Sequence, residues 1–551
     1  MLKITDLTVS FSNVKALNNV SFSLKKGEVL GVVGESGSGK SLCSLAIMNL
    51  LPRTSKVEKG SVRFNETNLL TNREQQIRGK KIGMVFQEPM TSLNPVFTCG
   101  EQLVETILKN KEVSKKAAKK HCLLLFEKVK LPDPATVYNK YPHELSGGQK
   151  QRVMIAIAVS CEPQLLIADE PTTALDVTVQ KEVLNLLMEL QKETGMAMIF
   201  ITHDLGLISN IAKRVMVMKK GSVVEEGSIE SIFKNPQNSY TKALLACRPP
   251  LNKRYRKLPT IEDYLSSEKP QEELISDEKR KKLHDELYSQ PPIMEVDNLV
   301  VSYVSERNWL GNIKRKHVAV DSVNFTLHKG ESLGLIGESG CGKTTIGRAL
   351  VNLLKSEKGT ISYKGKNFYD QNEKEQQDYK KDVQIIFQDP FASLNPRKTI
   401  GRAIQEPMEV YKIGQDDSER KKRVFQLLTK VGLNSNDYYK YPHEFSGGQR
   451  QRISIARTLA VEPKIIICDE SVSALDVSIQ AQVLNLLNEL KISFGLTYLF
   501  ISHDLSVVKH FCDRMLVMNK KGKIEEEGEA DFIYANPKTH YTKSLIEAIP
   551  K

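Results

Sequence analysis

Two stretches of this sequence, GESGSGKS (34–41) and GESGCGKT (337–344), have the residue types and spacing of a loop that holds phosphate. Gly34, Gly37 and Gly39 let backbone amides approach an anion, and a helix starting after the loop presents a partly positive end. Lys40 can bridge terminal phosphates and Ser41 can ligate a divalent cation. Gly337, Gly340, Gly342, Lys343 and Thr344 repeat each feature. A glycine-rich turn can fit the pattern by accident, but an apolar run before it, a helical pattern after it and a second copy argue against accident.

The other half of a nucleotide site follows each loop. LLIADE (165–170) and IIICDE (465–470) are apolar runs ending in paired acids. Asp169 and Asp469 can hold a Mg2+ shell, and Glu170 and Glu470 can orient or activate an attacking water. Two acids opening a helix are favourable in their own right, yet that does not explain why both pairs follow a phosphate loop at a similar distance. His203 and His503 end the next apolar runs (THDL, SHDL); a lone histidine there is usually structural or merely exposed, but it could contact a γ-phosphate. Gln87 and Gln388 end MVFQ and IIFQ, where an amide reaches metal or water. Finally, YPHELSGGQKQR (141–152) and YPHEFSGGQRQR (441–452) place Ser-Gly-Gly before a helix predicted from Gln149. That is a second anion site, although Ser146 alone also reads as a helix cap.

These groups need a scaffold of alternating strands and helices. KGEVLGVVG, LLIAD and MAMIFIT read as buried parallel strands. VTVQKEVLNLLMEL puts Val179, Val183, Leu186, Leu187 and Leu190 on one helical face. VMVMKKGSVVEEG reads as a hairpin turning at Gly221. The whole arrangement occurs twice. The shift is 303 residues from Gly34 to Gly337 and 300 from Ser146 to Ser446, always in the same order, which means duplication of a domain. The second copy carries an 11-residue insertion around ERNWLGNIKRK. The predicted domains are 1–247 and 293–551, joined by 248–292. That joint is rich in Lys, Glu, Ser and Pro, with ten basic against nine acidic residues from Arg248 to Gln290. An extended tether is expected, ending in a short exposed helix over SDEKRKKLHDELYS.

At 551 residues with 40% apolar content, the chain builds large cores and is not disordered. No apolar stretch approaches the roughly 20 residues that span a bilayer, and the amino terminus lacks a signal peptide's apolar block, so a cytosolic chain is expected. The eight cysteines are scattered without a CxxC pair, so reduced thiols are expected rather than disulfides or a metal cluster. The net charge of +13 is a weak argument for nucleic acid, and none is expected as a partner.

Phosphate loop, FQ segment, LSGGQ, DE, ALD and HD, in this order in both halves, resemble the ATP-binding cassette (ABC) ATPases. The resemblance leaves only the joint unmatched. It implies an α/β fold of two tandem P-loop NTPase domains, each with a RecA-like core, an antiparallel β subdomain and a helical subdomain. It also implies that the LSGGQ segment of one half closes over ATP held by the other. Ser146, Gly147, Gly148 and Gln149 would then face the nucleotide on Lys343, and Ser446, Gly447, Gly448 and Gln449 that on Lys40. Asp176 and Asp476 would lie between the sites. Ser36, Ser38, Ser339 and Cys341 would complete the loops. Glu170 and Glu470 would be general bases and His203 and His503 γ-phosphate sensors. Mg2+ would be held by Ser41, Gln87 and Asp169, and by Thr344, Gln388 and Asp469. Adenine would stack on Phe11 in the first half and on Tyr303 or Trp309 in the second. The second half departs from the pattern with DES for DEP and FSGGQ for LSGGQ, neither of which removes a phosphate contact.

FQEPMTSLNP, FQDPFASLNP, YPHE and the YTK segments (NSYTKALL, THYTKSLI) are similar to the peptide/nickel branch of ABC importers, especially its fused two-cassette ATPases. The implied partners are two integral-membrane permease subunits and a solute-binding protein. The implied location is the cytoplasmic face of the cell membrane. The alternative is a non-transport tandem ATPase working on ribosomes or DNA, which the balanced joint and the importer-type motifs disfavour.

Overall fold

The computed structural model describes residues 1–549 apart from 13, 72–76, 89–91, 174, 248–252, 266–272, 308–312 and 474, and apart from the side chains of 305–307 and 313–315. Each half contains one six-stranded and one four-stranded sheet. In the first half the larger sheet runs Ser222–Ser228, Arg214–Lys219, Val29–Val33, Ala197–Thr202, Leu165–Asp169, Ile82–Val85. All its neighbours are parallel except the first pair, the hairpin around Gly221. The second half repeats this order, with Ser332–Ile336 at the place of Val29–Val33. Both phosphate loops therefore leave the carboxyl end of an interior strand, where open α/β sheets bind ligands.

The apolar runs are continuous because both faces are covered. Leu165, Ile167, Ile199 and Ile201 point toward the four-stranded antiparallel sheet. Leu166, Ala168, Met198 and Phe200 point into the helical layer. That layer includes Cys99–Asn110, Lys115–Lys128 and Gly147–Val159, matched in the second half by Ile400–Val410, Asp417–Lys430 and Gly447–Leu459. The insertion lengthens one hairpin: its strands Pro292–Arg307 and Ile313–His328 have 16 residues each, against 10 and 11 in the first half.

The joint differs from the expected tether. Ile261–Leu265 and Asp277–Tyr288 are helices, and both are docked. Arg280 is buried and pairs with Glu529 at 3.0 Å and with Asp531. His284 lies 3.5 Å from Asp513, and the ring of Tyr288 lies under the Arg514 guanidinium. Isolated apolar residues and arginines anchor this stretch in cores that composition alone does not reveal. No helix among the described residues is long and apolar enough to cross a membrane.

Candidate functional site

The helices Lys40–Ile47 and Lys343–Leu350 open on Gly39 and Gly342, at φ 100° and 111°, a left-handed conformation that favours glycine. Each loop curls around its lysine. The Lys40 ammonium donates to the carbonyls of Gly34 (2.7 Å) and Glu35 (2.8 Å), and that of Lys343 to Gly337 (2.8 Å) and Glu338 (2.9 Å). Ser38 sits 3.5 Å from the Lys40 nitrogen, and Cys341 is 3.9 Å from that of Lys343. Ser36, Gly37, Ser339 and Gly340 are exposed at the loop tips. A Cβ added to Gly37 or Gly340 would meet nothing within 4 Å, so the cradle stands open.

Next to each loop lies a cluster of acids. Ser41 donates to Asp169 at 3.1 Å, and Thr344 to Asp469 at 2.8 Å. Gln87 donates to Glu170 at 3.0 Å, and Gln388 to Glu470 at 2.8 Å. His203 lies 3.2 Å from Glu170, and His503 3.5 Å from Glu470. Glu170 and Glu470 have φ of 46° and 47°, a conformation costly for a residue with a side chain. Equal strain at matched positions marks these glutamates as held in place.

Burial and neighbouring charge divide the acids into two kinds. Burial, reinforced by the charge of Glu170, pushes Asp169 up to about 6 against the Ser41 hydrogen bond. Burial would raise Glu170 too, but the hydrogen bond and charge of His203 outweigh it and hold this carboxyl at about 2. Reciprocally, burial would lower His203, yet Glu170 holds it above its ordinary value. Burial, together with the Glu470 charge, raises Asp469 against Thr344, while His503 holds Glu470 down against burial. Each site therefore pairs a strained glutamate, held down by its histidine, with a buried aspartate whose carboxyl is pushed up.

The Ser-Gly-Gly segments start helices at Gly147 and Gly447, two residues earlier than the predicted Gln149. The reason is a capping box. The N–H of Gln149 donates to the Ser146 hydroxyl (3.3 Å), and the N–H of Ser146 to the Gln149 side chain (3.1 Å), with Ser446 and Gln449 repeating this at 3.4 and 3.0 Å. Ser146 and Ser446 remain exposed. Gly148 and Gly448 are fixed by packing: a Cβ would come within 2.6 Å of Val179 and 2.5 Å of Ile479.

Those two contacts lead across the molecule. Val179 and Ile479 lie in the helices Val177–Thr194 and Val477–Phe494, which follow Asp176 and Asp476. The N–H of Ser36 donates to Asp476 at 2.7 Å, and the N–H of Ser339 to Asp176 at 3.3 Å. Ser478 donates to Glu35 at 2.6 Å. His203 is 3.9 Å from Asp476. A cavity of about 110 Å³ between the halves is lined by His203 and Asp204 from one and His503 and Asp504 from the other.

The remaining sequence candidates are more peripheral. Phe11 ends its strand half-buried, Tyr303 is 39% exposed with its hydroxyl 3.1 Å from that of Thr345, and Trp309 lies outside the described residues. Sequence reasoning missed Glu35, Ser478, Thr173 and two tyrosines. Thr173 donates to Glu170 at 2.9 Å. The Tyr240 and Tyr541 hydroxyls accept from the N–H groups of Glu35 (3.1 Å) and Glu338 (3.3 Å). For the tyrosines the sequence signal is their recurrence in the two YTK segments, NSYTKALL and THYTKSLI.

The acid cluster fits a hard divalent cation. A serine or threonine hydroxyl, a buried aspartate and a glutamine amide leave room for phosphate oxygens and water to complete an octahedron, as Mg2+ requires.

A family model described as ABC transporter matches residues 17–173 and 320–473. One described as the C-terminal region of oligopeptide/dipeptide transporters matches 224–272 and 525–551. The glutathione import ATP-binding protein GsiA of Escherichia coli O157:H7 is 45% identical over 568 residues, spanning 100% of this chain and 89% of its own length. That of Salmonella choleraesuis is 44% identical over 566 residues with the same shares. Among solved structures, the dimeric cassette MJ0796 bound to ADP and Pi in a post-hydrolysis state is 29% identical, covering 42% of this chain and 99% of its own, with TM-score 0.38. The cassette cbiO1 from Clostridium perfringens is 27% identical, covering 45% and 92%, with TM-score 0.39. Two cassettes, each followed by that C-terminal region, on a chain alignable from end to end with import ATPases, place it: the chain belongs to the ABC transporter family, as an ATP-binding and ATP-hydrolysing subunit.

Proposed function

We propose that this chain powers the import of glutathione or another short peptide, with its two halves completing each other's ATP sites head to tail. The observation that carries the pairing is the hydrogen bond from Ser36 in one phosphate loop to Asp476 of the other half. Ser446, Gly447 and Gly448 lie on the same side as Asp476, because Gly448 packs on Ile479 of the helix that Asp476 begins. By the same logic Ser146, Gly147 and Gly148 cover the Lys343 loop.

Mg2+, held by Ser41, Gln87 and Asp169 in one site and by Thr344, Gln388 and Asp469 in the other, would neutralise charge on the phosphates. Lys40 and Lys343 exchange their loop carbonyls for phosphate oxygens. A terminal phosphate would compete with Glu170 for His203, and the carboxylate so released accepts a proton from water. The water oxygen attacks the γ-phosphorus, the bond to the β-γ bridging oxygen breaks, and the proton resides on Glu170. Adenine would stack on Phe11 in the first half and on Tyr303 or Trp309 in the second.

Permease docking would use the apolar side chains near the two glutamines. Leu50, Phe86, Val96 and Phe97 in the first half are 38–69% exposed, and Leu353, Phe391 and Val410 in the second 49–71%. Two membrane-embedded permeases and a solute-binding protein would complete the importer, with the chain on the cytoplasmic face of the membrane. The test is uptake of labelled glutathione and of di- and tripeptides by cells carrying the chain or a Glu170→Gln/Glu470→Gln double variant. Import unaffected by that variant, or no import of any of these solutes, rejects the proposal.

A further inference from the structure

The two ATP sites differ in how the chain connects around them. Helix Ser239–Ala246, on the first half, carries Tyr240, whose hydroxyl accepts from Glu35 in the first phosphate loop at 3.1 Å. The chain then crosses over. The Arg254 guanidinium donates to the carbonyls of His510 (3.0 Å) and Cys512 and pairs with Asp531 at 3.2 Å. Leu258 is 1% exposed, inside the second half's core. Its N–H donates to the Asn485 side chain, and its carbonyl accepts from it, both at 2.8 Å. Three residues on, Ile261 is buried in the first half's core, with Tyr264 packed beside it.

Asn485 lies on the helix Val477–Phe494, which begins after Asp476. Asp476 accepts from Ser36, next to Glu35, and Ser478 donates to Glu35. The contacts thus form a ring around the Lys40 site: phosphate loop, Tyr240, joint, Leu258, Asn485, Asp476, phosphate loop.

The Lys343 site has the corresponding ends but a different middle. Glu338 donates to Tyr541, and Ser339 to Asp176, both at 3.3 Å. Asn185, the counterpart of Asn485, is exposed beside a groove of about 380 Å³ lined by Leu184, Met188 and Leu207 and, from the second half, by Glu547, Ala548 and Ile549, and it forms no buried pair like that of Leu258 and Asn485 among the described residues. A joint anchored in both cores resists separation of the groups that it spans, since opening there exposes Leu258 and leaves Asn485 unpaired in the core.

We infer that residues 254–264 are a staple that keeps the Lys40 site closed through the cycle, so that the Lys343 site is the one that opens and exchanges nucleotide. This rests on the head-to-tail reading. Asn485 and Leu258 are positioning residues, acting on ATP through Asp476.

The test uses the purified full chain loaded with radiolabelled ATP and Mg2+ and chased with unlabelled ATP. Photolabelling with 8-azido-ATP followed by proteolysis assigns each nucleotide to a half. Two nucleotides per chain are expected, one released at least roughly tenfold more slowly and labelling the first half. Asn485→Ala should merge the two phases, and Leu258→Ala, from the other side of the contact, should do the same. Asn185→Ala should keep them apart. Melting temperatures measured alongside identify the folded variants. Equal release in the unaltered chain, a slow nucleotide in the second half, or a slow phase that survives in both folded variants overturns the staple. Fewer than two nucleotides per chain overturns the two-site reading beneath it, a result that the unaltered chain gives by itself.

Discussion

Asp476 accepts a hydrogen bond from the N–H of Ser36 across the two halves at 2.7 Å, and it makes no side-chain cap for its own helix. Its counterpart divides its carboxylate: Asp176 caps its own helix at Val179 (2.9 Å) and reaches Ser339 at 3.3 Å. One aspartate is committed to the opposite half, whereas the other also holds its own fold.

The two substitutions should therefore have different effects. Asp176→Ala loses a helix cap and should lower stability by about 1 kcal/mol. Asp476→Ala should leave the melting temperature nearly unchanged while lowering ATP turnover more than Asp176→Ala does. Paired thermal melts and steady-state phosphate release decide this, and equal losses in both measurements would refute the division of roles.

The glutamate at each site gives a second prediction. Glu170→Gln removes the proposed proton acceptor while keeping the contacts to Gln87 and Thr173 possible. Turnover at that site should fall by about 10²–10⁴-fold. Equilibrium binding of a fluorescent ATP analogue should be retained. The double variant with Glu470→Gln should be silent, and substantial phosphate release from it would remove both residues from the role of base.

Gly148 and Gly448 are required by close packing. Gly148→Ala brings a Cβ within 2.6 Å of Val179, so overpacking should cost about 1–3 kcal/mol and displace the helix that Asp176 begins. Val179→Ala in the same chain should restore stability, measured by denaturant unfolding. A Gly148→Ala variant as stable as the parent would contradict this packing.

Stability should also depend on pH through His510. Burial, with the charges of Arg254 and Lys509 beside it, pushes its imidazole from an ordinary 6.5 down to about 3. The unfolded chain takes up this proton below about 6.5 and the folded chain only near 3, so folding stability from this group is complete above the first value and lost as pH falls toward the second. The loss amounts to as much as roughly 5 kcal/mol. His510→Leu should flatten the fall in unfolding free energy between pH 6.5 and 4. The Nδ1 of His510 is buried without a hydrogen-bond partner, so the apolar replacement leaves no group stranded there.

Much of the geometry of the candidate site was legible in the sequence because it is built from local devices. Glycines at special backbone angles, acids at strand ends and Ser146 three residues before Gln149 write their geometry into spacing. The capping box was in plain view and already implied a helix starting at Gly147. The joint was not legible. Leu258 and Ile261 are single apolar residues in a polar stretch; Leu258 is buried against a helix more than 200 positions away, at Asn485, and Ile261 against the helix Ser239–Ala246 in the other half's core. Tyr240 failed for the same reason: a tyrosine in a repeated segment is visible, but its acceptance of a hydrogen bond from Glu35 is a tertiary fact.

The path of residues 254–264 makes the order of the two cassettes along the gene meaningful. Joining the same halves in reverse, second before first, would lead the connection past Asn185 instead of Asn485. The halves would be identical in sequence, yet the division of labour between the two ATP sites would change sides.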